Sequence, residues 1–558
     1  MTLSLAELIG SQQTPITAAE VARFRAAGYW DGRTIRSVLA DAAAAYPDRD
    51  ALIGYRSDGT TERFSYREFD QAASRAAAAL AHLGVRAGDA VAVMLPNWIE
   101  YGALIFGINE LGAVYTGIPV SYGERQAAAI LSVSKAKVLL IPRRWRSGEH
   151  LELARRLRAS LPSLEHVIVV GDDSDGSGDD LGAGECRWSS LRDAPARDFG
   201  PGDPTAICYL GFTSGTTGEP KGAMHTHETL LYSAFQLAEH VGPATFGDPM
   251  IHLVASPTGH HTGFIWGVIF TVCVGGTGVH VDRWDPAWGV DIIRKEKVTT
   301  FFGAPTFLQD MMRTDLAGDP QCPLRCLVIA GSSVPRNLPA QAARALGAYI
   351  APAWGMTECS IIISCTPSQP DAIIRTDGSV FEGSGVRVTD ELGADLPAGA
   401  TGELLVRGPS LFLGYFERPD ATRDAFSAGG WFRTGDTASI DANGWVSLRG
   451  RVKDIIIRGG ENIPVTDVET VLFDHPGIVN AAVVGIPDER LGERACAAVV
   501  TAPGVTLTLG QICEFLIARG LSKHYLPERL IVLDELPMTQ SGKIQKFRLR
   551  ELVSAAVA

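Results

Sequence analysis

The feature of the sequence that most constrains the fold is a repeated alternation of helical and strand patterns. An alanine-rich segment with helical spacing at 64–84 is followed by the short apolar run AVAVMLP at 90–96. The pattern recurs at 98–118, and the β-rich runs KAKVLLIP (135–142) and HVIVVGD (166–172) follow it. Helices that alternate with continuous apolar strands are typical of parallel sheets. The sequence therefore predicts an α/β fold with mixed or parallel sheets.

The length of the chain predicts more than one domain. At 558 residues it exceeds what one hydrophobic core usually serves. Its last hundred residues have an alternation of their own, with a helix predicted over 466–475, two strands over AAVVGIP and ACAAVV, a second helix and the strand RLIVL. We therefore expect a large composite N-terminal domain with mixed or parallel sheets and a small α+β C-terminal domain.

Charge and cysteine usage limit the class of protein. A net charge of −13 argues against a general surface for nucleic acid or for anionic membranes, although a local basic pocket for a phosphate ligand is compatible with it. The nine cysteines are scattered, and Cys322 and Cys326 lack the second Cys or His pair of a zinc site. The segment MTLSLAELIG carries no positive charge before its apolar residues, so a cytoplasmic protein is expected.

Two segments have competing interpretations. Residues Gly263 to Val281 hold almost no polar side chain over a length that could span a bilayer. Because Gly275, Gly276 and Gly278 interrupt it, a buried helix that leads into a core strand is predicted instead. The acidic, Gly-rich segment 172–184 predicts a loop, since a calcium loop would need a terminal Glu that it lacks.

The stretch YLGFTSGTTGEPKGAM (209–224) combines hydroxyls and glycines in the way that phosphate-binding loops do. Backbone N–H groups and hydroxyls can bind phosphate oxygens, and glycines let the backbone approach an anion closely. The spacing differs from that of the P-loop of NTPases, which requires a Gly-Lys-Ser/Thr ending. A different phosphate-binding family is therefore indicated.

Seven segments together carry a resemblance to a known family. The loop TSGTTGEPKG is similar to the signature loop of the adenylate-forming superfamily, which contains acyl-CoA synthetases, adenylation domains of peptide synthetases and luciferases. The other segments that resemble family motifs, in the family's order, are Pro257–Phe264 (PTGHHTGF), Ala330–Ser333 (AGSS), Ala353–Glu358 (AWGMTE), Gly430–Asp436 (GWFRTGD), Gly450–Asp454 (GRVKD) and Pro537–Lys543 (PMTQSGK). The resemblance covers nearly the whole chain, from about Ile35 to Leu549.

The resemblance implies a two-step reaction. A carboxylate attacks the α-phosphorus of MgATP and releases pyrophosphate, and the acyl-adenylate then passes its acyl group to a thiol. The implied substrates and cofactors are a small carboxylic acid, ATP, Mg²⁺ and coenzyme A. The closest similarity is to ligases for cyclohexanecarboxylate-type and other medium or cyclic acids.

The resemblance also assigns an ATP site. The implied ATP contacts are Thr213, Ser214, Gly215, Thr216, Thr217, Gly218, Lys221, Ser332, Ser333, Trp354, Gly355, Met356, Thr357, Asp436 and Arg451. Glu358, with Thr213, is implied to hold Mg²⁺, and Asp436 to accept the ribose hydroxyls. Trp354 stands where the family usually has Tyr, which keeps an aromatic face for stacking on the base.

The remaining assignments concern the acid, the thiol and the small domain. Lys543 is implied to be catalytic in adenylation, and His260 to border the carboxylate. The expected walls of the acid pocket are His261, Phe264, Trp266, Gly303, Ala304 and Gly331. Lys453 is the expected hinge between domains 1–451 and 452–558, of which the second is mobile, and the expected thiol tunnel is formed by Gly459, Gly460, Glu461 and Asn462.

An AMP-forming acid–CoA ligase is the leading expectation, and two alternatives to it remain open. Free CoA and the phosphopantetheine of a carrier protein present the same thiol arm, and the segment from Val21 to Trp30 resembles both stand-alone aryl-acid adenylating enzymes and CoA ligases. A catalytically silent nucleotide sensor is a third class, and the joint presence of Lys221, Glu358 and Lys543 argues against it. The acid and the oligomeric state, including a homodimer, are left open by the sequence.

Overall fold

The computed structural model describes most of the chain. The described residues are 4–171, 181–191, 194–195, 197–213, 219–332, 334–370, 376–458, 461–463, 465–488, 490–539 and 542–557. The acidic loop predicted at 172–184 therefore lies largely outside the described residues.

The largest sheet of the described chain has nine strands and is mostly parallel. In spatial order its strands are Ser379–Val380, Ser360–Ser364, Tyr349–Met356, Cys326–Ile329, Thr300–Gly303, Ile251–Val254, Thr277–Val281, Asp50–Tyr55 and Thr61–Ser65. The six central strands run parallel, and the antiparallel pairs lie at the two ends. The buried runs TFFG and CLVI are continuous apolar strands, as expected where both faces of a sheet are covered.

A second sheet has seven strands within the described ranges. They are, in spatial order, Lys221–Thr226, Ile207–Thr213, Val114–Gly117, Ala90–Val93, Val138–Pro142, His166–Val170 and Glu185–Arg187. The edge pair is an antiparallel hairpin in which Thr213 lies opposite Lys221, and the other pairs are parallel. The tip of this hairpin is the predicted phosphate loop.

The main hydrophobic core lies between these two sheets. It contains side chains of both, such as Tyr209 of the seven-stranded sheet and Val328 of the nine-stranded sheet, together with the helices between them. The helix Ile99–Glu110 is buried on every side, which its apolar sequence allows, whereas Tyr66–His82 turns an alanine-rich face inwards.

Two smaller sheets complete the part of the fold that the structure describes. One comprises Gly385–Thr389, Thr401–Arg407, Trp431–Ile440, Phe426–Ser427 and Val446–Arg451, and the other comprises Glu461–Ile463, Ile456–Arg458, Gly492–Thr501, Ile478–Asp488 and Arg529–Val532. A short hairpin pairs Arg144–Trp145 with Gly148–Glu149. The sheet that begins at Ile456 packs against two hydrophobic cores of its own, both formed by residues from Ile456 onwards.

The helices begin at recognisable caps. Ser65 and Thr508, for example, accept hydrogen bonds from the third residue of their helices and are bonded in return by Glu68 and Gln511. The α-helices are Leu5–Gly10, Ala18–Ala26, Ile35–Ala45, Tyr66–His82, Ile99–Glu110, Glu124–Ser134, His150–Ser160, His227–Val241, Phe270–Cys273, Pro286–Glu296, Pro305–Met312, Leu338–Leu346, Pro419–Asp424, Val465–Phe473, Leu509–Ala518 and Lys546–Val557. Short 3₁₀ turns occupy Trp188–Ser190, Pro243–Phe246, Val452–Asp454 and Lys523–Tyr525, and Thr262–Ile269 is a π-helix.

The predicted fold class is confirmed, with two local corrections. The strand Glu461–Ile463, which pairs with Ile456–Arg458, was not predicted. The helix Lys546–Val557 at the end of the chain was not predicted. The segment from Gly263 is a buried helix that leads into the strand Thr277–Val281, as expected, and no described helix is long and apolar enough to cross a bilayer.

Candidate active site

The site lies where parallel strands of the nine-stranded sheet end. The strands Thr300–Gly303, Cys326–Ile329 and Tyr349–Met356 are neighbours, and their carboxyl ends lead into the loops that carry Gly331 and Glu358. In open α/β sheets this edge is the usual place for ligands. Three separate segments predicted to be functional are thus brought to one edge by the topology.

A cavity opens at this edge. Its volume is about 480 Å³, including the solvent at its mouth. Its lining consists of His261, Thr262, Trp266, Phe302, Gly303, Val328, Ala330, Gly331, Gly355, Met356, Thr357, Ser360, Ile361 and Lys543. The cavity includes four of the six residues expected to form the acid pocket: His261, Trp266, Gly303 and Gly331.

Two residues expected in the pocket walls are instead buried in the core. Phe264 is fully buried, with its ring 4.4 Å from that of Tyr209 and 4.9 Å from that of Tyr115. Ala304 begins the loop into the helix Pro305–Met312 and packs into the core beneath it. Phe264 and Ala304 therefore do not line the cavity, since the helix carrying Phe264 turns that ring towards the seven-stranded sheet. Their assignment to the acid pocket stays a prediction.

An aromatic pair lines the deep part of the cavity. The rings of Trp266 and Phe302 stack in parallel, with their centroids 6.0 Å apart and their planes 6° apart. Phe302 is held in turn by Phe246 and Phe270, and both members of the pair are almost fully buried. Because this wall is supported from behind by further rings, the cavity has a rigid apolar end.

The two adjacent histidines occupy different positions. The ring of His261 lines the cavity, and its Nε2 lies 3.0 Å from Oγ of Ser360. Its buried Nδ1 has no hydrogen-bond partner among the described residues. The ring of His260 instead lies edge-on to Tyr122 at 6.1 Å. Burial and the nearby charge of Lys543 lower the pKa of His260 to about 4, so this imidazole is neutral at pH 7.

Lys543 reaches the cavity from the C-terminal part of the chain. A Cβ at Gly331 would lie 3.3 Å from Cε of Lys543, and a Cβ at Gly542 would lie 2.3 Å from Oγ1 of Thr306. Gly542 has a φ of +77°, so this turn requires glycine both for its backbone and for its close approach. Thr539 fixes the turn, since its Oγ1 accepts a hydrogen bond from the Lys543 N–H.

The charges around Lys543 act on its proton. Burial and the neighbouring Arg451 lower the pKa of Lys543, whereas Asp436 and Glu358 oppose that shift. The structure therefore brings Lys543, Arg451, Asp436 and Glu358 within electrostatic range of one another, although they come from four separate segments.

Asp436 is held by two donors. Its Oδ2 accepts a hydrogen bond from Nε1 of Trp354 at 2.8 Å, and Nε of Arg451 lies 3.2 Å from Oδ1. Burial raises the pKa of Asp436, and both donors oppose the rise. Trp354 is itself 9% exposed and packs in the core beside the sheet that contains Thr401–Arg407 and Trp431–Ile440. Trp354 thus orients the Asp436 carboxylate, a contact that the sequence did not predict.

Glu358 is a buried carboxylate with one free oxygen. Its Oε1 accepts a hydrogen bond from the Tyr415 hydroxyl at 3.0 Å, while Oε2 has no hydrogen-bond partner in the described structure. Burial raises the pKa of Glu358, and Tyr415, Arg451 and Lys221 lower it. The ammonium of Lys221 lies 4.9 Å from the centre of the Tyr415 ring, so Tyr415 contacts both charged groups.

The AWGMTE segment has to be tightly bent to reach the cavity. A Cβ on Gly355 would lie only 2.0 Å from the carbonyl oxygen of Ser360, so this position accepts glycine alone. Met356 and Thr357 follow and line the cavity, and the methyl group of Thr357 packs against Gly211 of the phosphate-loop hairpin. The hairpin and the AWGMTE segment therefore form adjacent walls of one site.

Some predicted residues cannot be placed. Ser214, Gly215, Thr216, Thr217, Gly218, Ser333, Gly459 and Gly460 lie outside the described residues. Of Lys453, Glu461 and Asn462 only the backbone is described. Thr213 and Lys221 flank the phosphate loop as paired strand residues, and Ser332 follows Gly331 in the turn after the strand Cys326–Ile329. Residues of the cavity that the sequence did not single out include Phe302, Val328, Ser360 and Ile361.

The donor set can be tested against Mg²⁺. A buried carboxylate oxygen without a partner, such as Oε2 of Glu358, fits a cation. The described part of the chain contains no group of three or more His, Cys, Asp or Glu side chains that could hold a metal ion. The free oxygen of Glu358 fits Mg²⁺, which commonly uses one or two protein carboxylates and takes its other ligands from phosphate and water.

Comparison with known proteins identifies the family. The family described as "AMP-binding enzyme" matches residues 39–416, and "AMP-binding enzyme C-terminal domain" matches 467–543. A medium-chain fatty-acid–CoA ligase of Escherichia coli is 32% identical over 95% of this chain and 92% of its own, and a salicyl-AMP ligase / salicyl-S-ArCP synthetase of Mycobacterium tuberculosis is 32% identical over 95% and 93%. The crystal structure of ATP-bound MatB from Rhodopseudomonas palustris superposes with a TM-score of 0.83, at 26% identity, over 94% of this chain and 100% of that chain.

The chain belongs to the AMP-binding enzyme family and thus to the adenylate-forming superfamily. The prediction of an AMP-forming acid–thiol ligase is confirmed with it.

Proposed function

We propose that the protein uses MgATP to adenylate a compact carboxylic acid and then transfers the acyl group to the thiol of coenzyme A. The observation that carries this proposal is the position of Lys543. Its ammonium stands at a cavity with an apolar end, close to Asp436 and Glu358. A cation at that point lies where two anions, a carboxylate and a triphosphate, would have to meet.

The first step poses an electrostatic problem. A carboxylate oxygen attacks the α-phosphorus, the bond from that phosphorus to the bridging oxygen breaks, and pyrophosphate leaves. Catalysis of such transfers depends on positioning and on charges that are in place beforehand. We assign Lys543 to the carboxylate and the bridging oxygen, because a compact ammonium on a long stem can contact both.

The nucleotide would be held by groups on both sides of the cavity. We assign the loop from Thr213 to Lys221 to the β- and γ-phosphates and Asp436, oriented by Trp354 and Arg451, to the ribose hydroxyls. An ionised carboxylate is a strong acceptor for hydroxyl donors. Ser332, Gly355, Met356 and Thr357 would complete the walls beside the adenine and the α-phosphate.

Glu358, with Thr213, would hold the Mg²⁺ ion, which supplies positive charge to the phosphate oxygens when bound. The Tyr415 hydroxyl fixes the Glu358 carboxylate by its hydrogen bond to Oε1 and leaves Oε2 for the ion. This arrangement explains why a carboxylate is retained in a buried position where its pKa is raised.

The second step requires Lys543 to leave. We propose a boundary between domains 1–451 and 452–558, with the hinge at Lys453 inside the 3₁₀ turn Val452–Asp454. This turn is the whole connection between the strand that ends at Arg451 and the sheet that begins at Ile456. Rotation there would withdraw Lys543 and present the segment 459–462 to the thiol, a switch of the hinge type.

The shape of the cavity favours a compact acid. The Trp266–Phe302 pair closes the apolar end, so a flat ring or a short branched chain fits better than a long alkyl chain. His261 adds a polar atom to the wall, because its Nδ1 is without a partner among the described residues. The relatives named for salicylate bind acids of this compact, partly polar kind.

A second acceptor is supported by one comparison. The relative named salicyl-S-ArCP synthetase matches this chain as well as the CoA ligase does, at 32% identity. Loading of a carrier-protein phosphopantetheine is therefore the second candidate, and it would use the same first step.

Pyrophosphate release tests the proposal. We expect release with ATP, Mg²⁺ and one or more compact cyclic or aromatic acids from a panel, and formation of the corresponding CoA thioester when CoA is added. Release that proceeds to a thioester only with a phosphopantetheinylated carrier protein would establish the second candidate. The absence of release with every acid would contradict both and favour a nucleotide sensor.

A further inference from the structure

A second cavity lies apart from the active site. It has a volume of about 580 Å³, including open solvent, and shares no lining residue with the first cavity. One wall is the face of the helix His227–Val241 that carries Glu228, Tyr232 and Phe235. The facing wall is the loop around Tyr29 and Arg33 that follows the helix Ala18–Ala26.

Glu228 is an unusual lining residue. Its side chain is 1% exposed, and neither carboxylate oxygen has a hydrogen-bond partner in the described ranges. The nearest cationic atom to it is Nη2 of Arg25 at 3.7 Å, on a side chain that is half exposed. A buried carboxylate is normally hydrogen-bonded or closely paired, because an unpaired buried charge is strongly unfavourable. Among the described residues, the Glu228 carboxylate therefore has a loose ion pair with Arg25 and no hydrogen-bond donor.

The walls of this cavity are fixed in place. Trp30 is buried, and its Nε1 donates a hydrogen bond to the carbonyl of Pro409. The ring of Tyr29 meets that of Tyr232 edge-on at 5.6 Å, and the Tyr29 hydroxyl donates to Glu382 at 3.3 Å. Because these aromatic side chains are held from outside the cavity, a ligand would meet a preformed surface.

The charges of the lining are predominantly negative. Asp31, Glu228 and Glu239 line the cavity with one cation, Arg33. Arg33 is already paired with Asp31, and its guanidinium lies 4.0 Å from the centre of the Phe235 ring. A cation thus sits on an aromatic face at the rim, while the deeper carboxylate of Glu228 is left without a hydrogen-bonded partner among the described groups.

We propose that this cavity is a binding site for a small organic cation, a primary ammonium on an aliphatic stem, whose ammonium pairs with Glu228 and whose stem lies against Tyr232 and Phe235. An ammonium supplies the three donors that the carboxylate lacks, and aromatic faces attract cations and cover apolar stems. Glu228 also lies in the first turn of its helix, where the partial positive charge of the helix end favours the ionised carboxylate that this pairing needs.

Protonation of Glu228 is the competing explanation. Burial raises the pKa of Glu228, while Arg25 lowers it. Protonation to a neutral carboxylic acid would therefore also remove the unfavourable free energy of a buried charge. The two explanations differ in one respect: a neutral acid has no preference for an ammonium over an alcohol of the same length.

The test uses n-hexylammonium and its neutral counterpart 1-hexanol as probes, with titration calorimetry on the intact protein at pH 7.5. We expect saturable binding of n-hexylammonium, binding of 1-hexanol that is at least about tenfold weaker, and a loss of at least about tenfold in Glu228→Gln, as expected for a charge-assisted hydrogen bond. Glu391→Gln removes the same charge from an exposed turn and should bind like the wild type.

A second variant guards against loss of the fold. Glu228→Gln removes a buried charge that has no hydrogen-bond donor among the described residues, and the variant should unfold thermally at the wild-type temperature or above it. If it does not fold, Phe235→Leu, which removes aromatic surface that faces the stem, should weaken n-hexylammonium binding at least about threefold, because the stem then buries less apolar area. No binding to the wild type, equal binding of ammonium and alcohol, or undiminished binding to folded Glu228→Gln would overturn the proposal.

Discussion

Replacing Trp354 with Phe tests how the ribose-binding carboxylate is held. The substitution keeps an aromatic ring in the core and deletes the N–H that Nε1 donates to Asp436 over 2.8 Å. Trp354 and Asp436 are each only 9% exposed, so water does not readily replace this donor. A hydrogen bond to a charged group contributes about 1.5–3 kcal/mol, which corresponds to a factor of roughly 10 to 150 in affinity.

We expect the loss to appear in the KM for ATP, because Asp436 is assigned to the ribose and the reacting groups are elsewhere. It should also depend on pH. Burial raises the pKa of Asp436 and Trp354 opposes that rise, so the variant's carboxylate should protonate at a higher pH than the wild type's. Since only the ionised form accepts both hydroxyls, the ratio of variant to wild-type KM should be larger at pH 6 than at pH 8.

The assay is pyrophosphate release at varied ATP and saturating acid, at both pH values. A matched control is Trp284→Phe, which deletes an equivalent hydrogen bond of 2.9 Å from the indole N–H to Asp310. Neither Trp284 nor Asp310 lines the cavity. The control should lower thermal stability and leave the KM for ATP unchanged. An unchanged KM in Trp354→Phe at both pH values would refute the assignment of Asp436 to the ribose.

Three further predictions concern the cavity. Glu358→Gln should slow pyrophosphate release about 10²-fold by weakening charge stabilisation at the phosphates; wild-type rates across a magnesium titration would contradict this. Trp266→Leu should allow larger acids to react, with each methylene added to the acid contributing about 0.8 kcal/mol, or roughly fourfold in kcat/KM. An unaltered preference among acids would mean that other residues limit the size of the acid. Burial and Arg451 lower the pKa of Lys543, so the rate of adenylation should fall with rising pH at a pH below the pKa of an ordinary lysine. Lys543→Arg should move this alkaline fall in rate to higher pH. A fall at the same pH in both proteins would exclude Lys543 as its origin.

Much of the fold follows from local sequence patterns. The strands of the two large sheets are short apolar runs between amphipathic or alanine-rich helices, and a pattern of that kind is visible in sequence. The pairing of Glu461–Ile463 with Ile456–Arg458 was less visible, because the Gly-Gly pair between these segments indicates a turn in the sequence and not strands. The helix Lys546–Val557 was missed, although KFRLRELVSAAV has helical spacing of apolar residues.

The site was predictable where motifs carry it and unpredictable where packing decides. Phe264 and Trp266 are two positions apart in one segment, yet Trp266 lines the cavity while Phe264 is buried against Tyr209. Residues two positions apart lie on opposite sides of a helix, so the π-helix Thr262–Ile269 can turn only one of this pair towards the cavity, and which of the two does so is decided by packing. The Tyr415 contact with Glu358 joins residues 57 positions apart and appears only in three dimensions.

The two half-reactions of Lys543→Ala provide the most direct test of the central claim, that one lysine from the C-terminal part catalyses adenylation and then withdraws. Adenylation would be followed by pyrophosphate release from acid and ATP, and thiolation by thioester formation from CoA and a supplied acyl-adenylate. The control is Lys523→Ala, which removes an exposed lysine from the same part of the chain and should leave both rates unchanged. The account predicts that Lys543→Ala loses adenylation by at least about 10²-fold and largely keeps thiolation. Equal loss of both half-reactions, or undiminished adenylation, would contradict it.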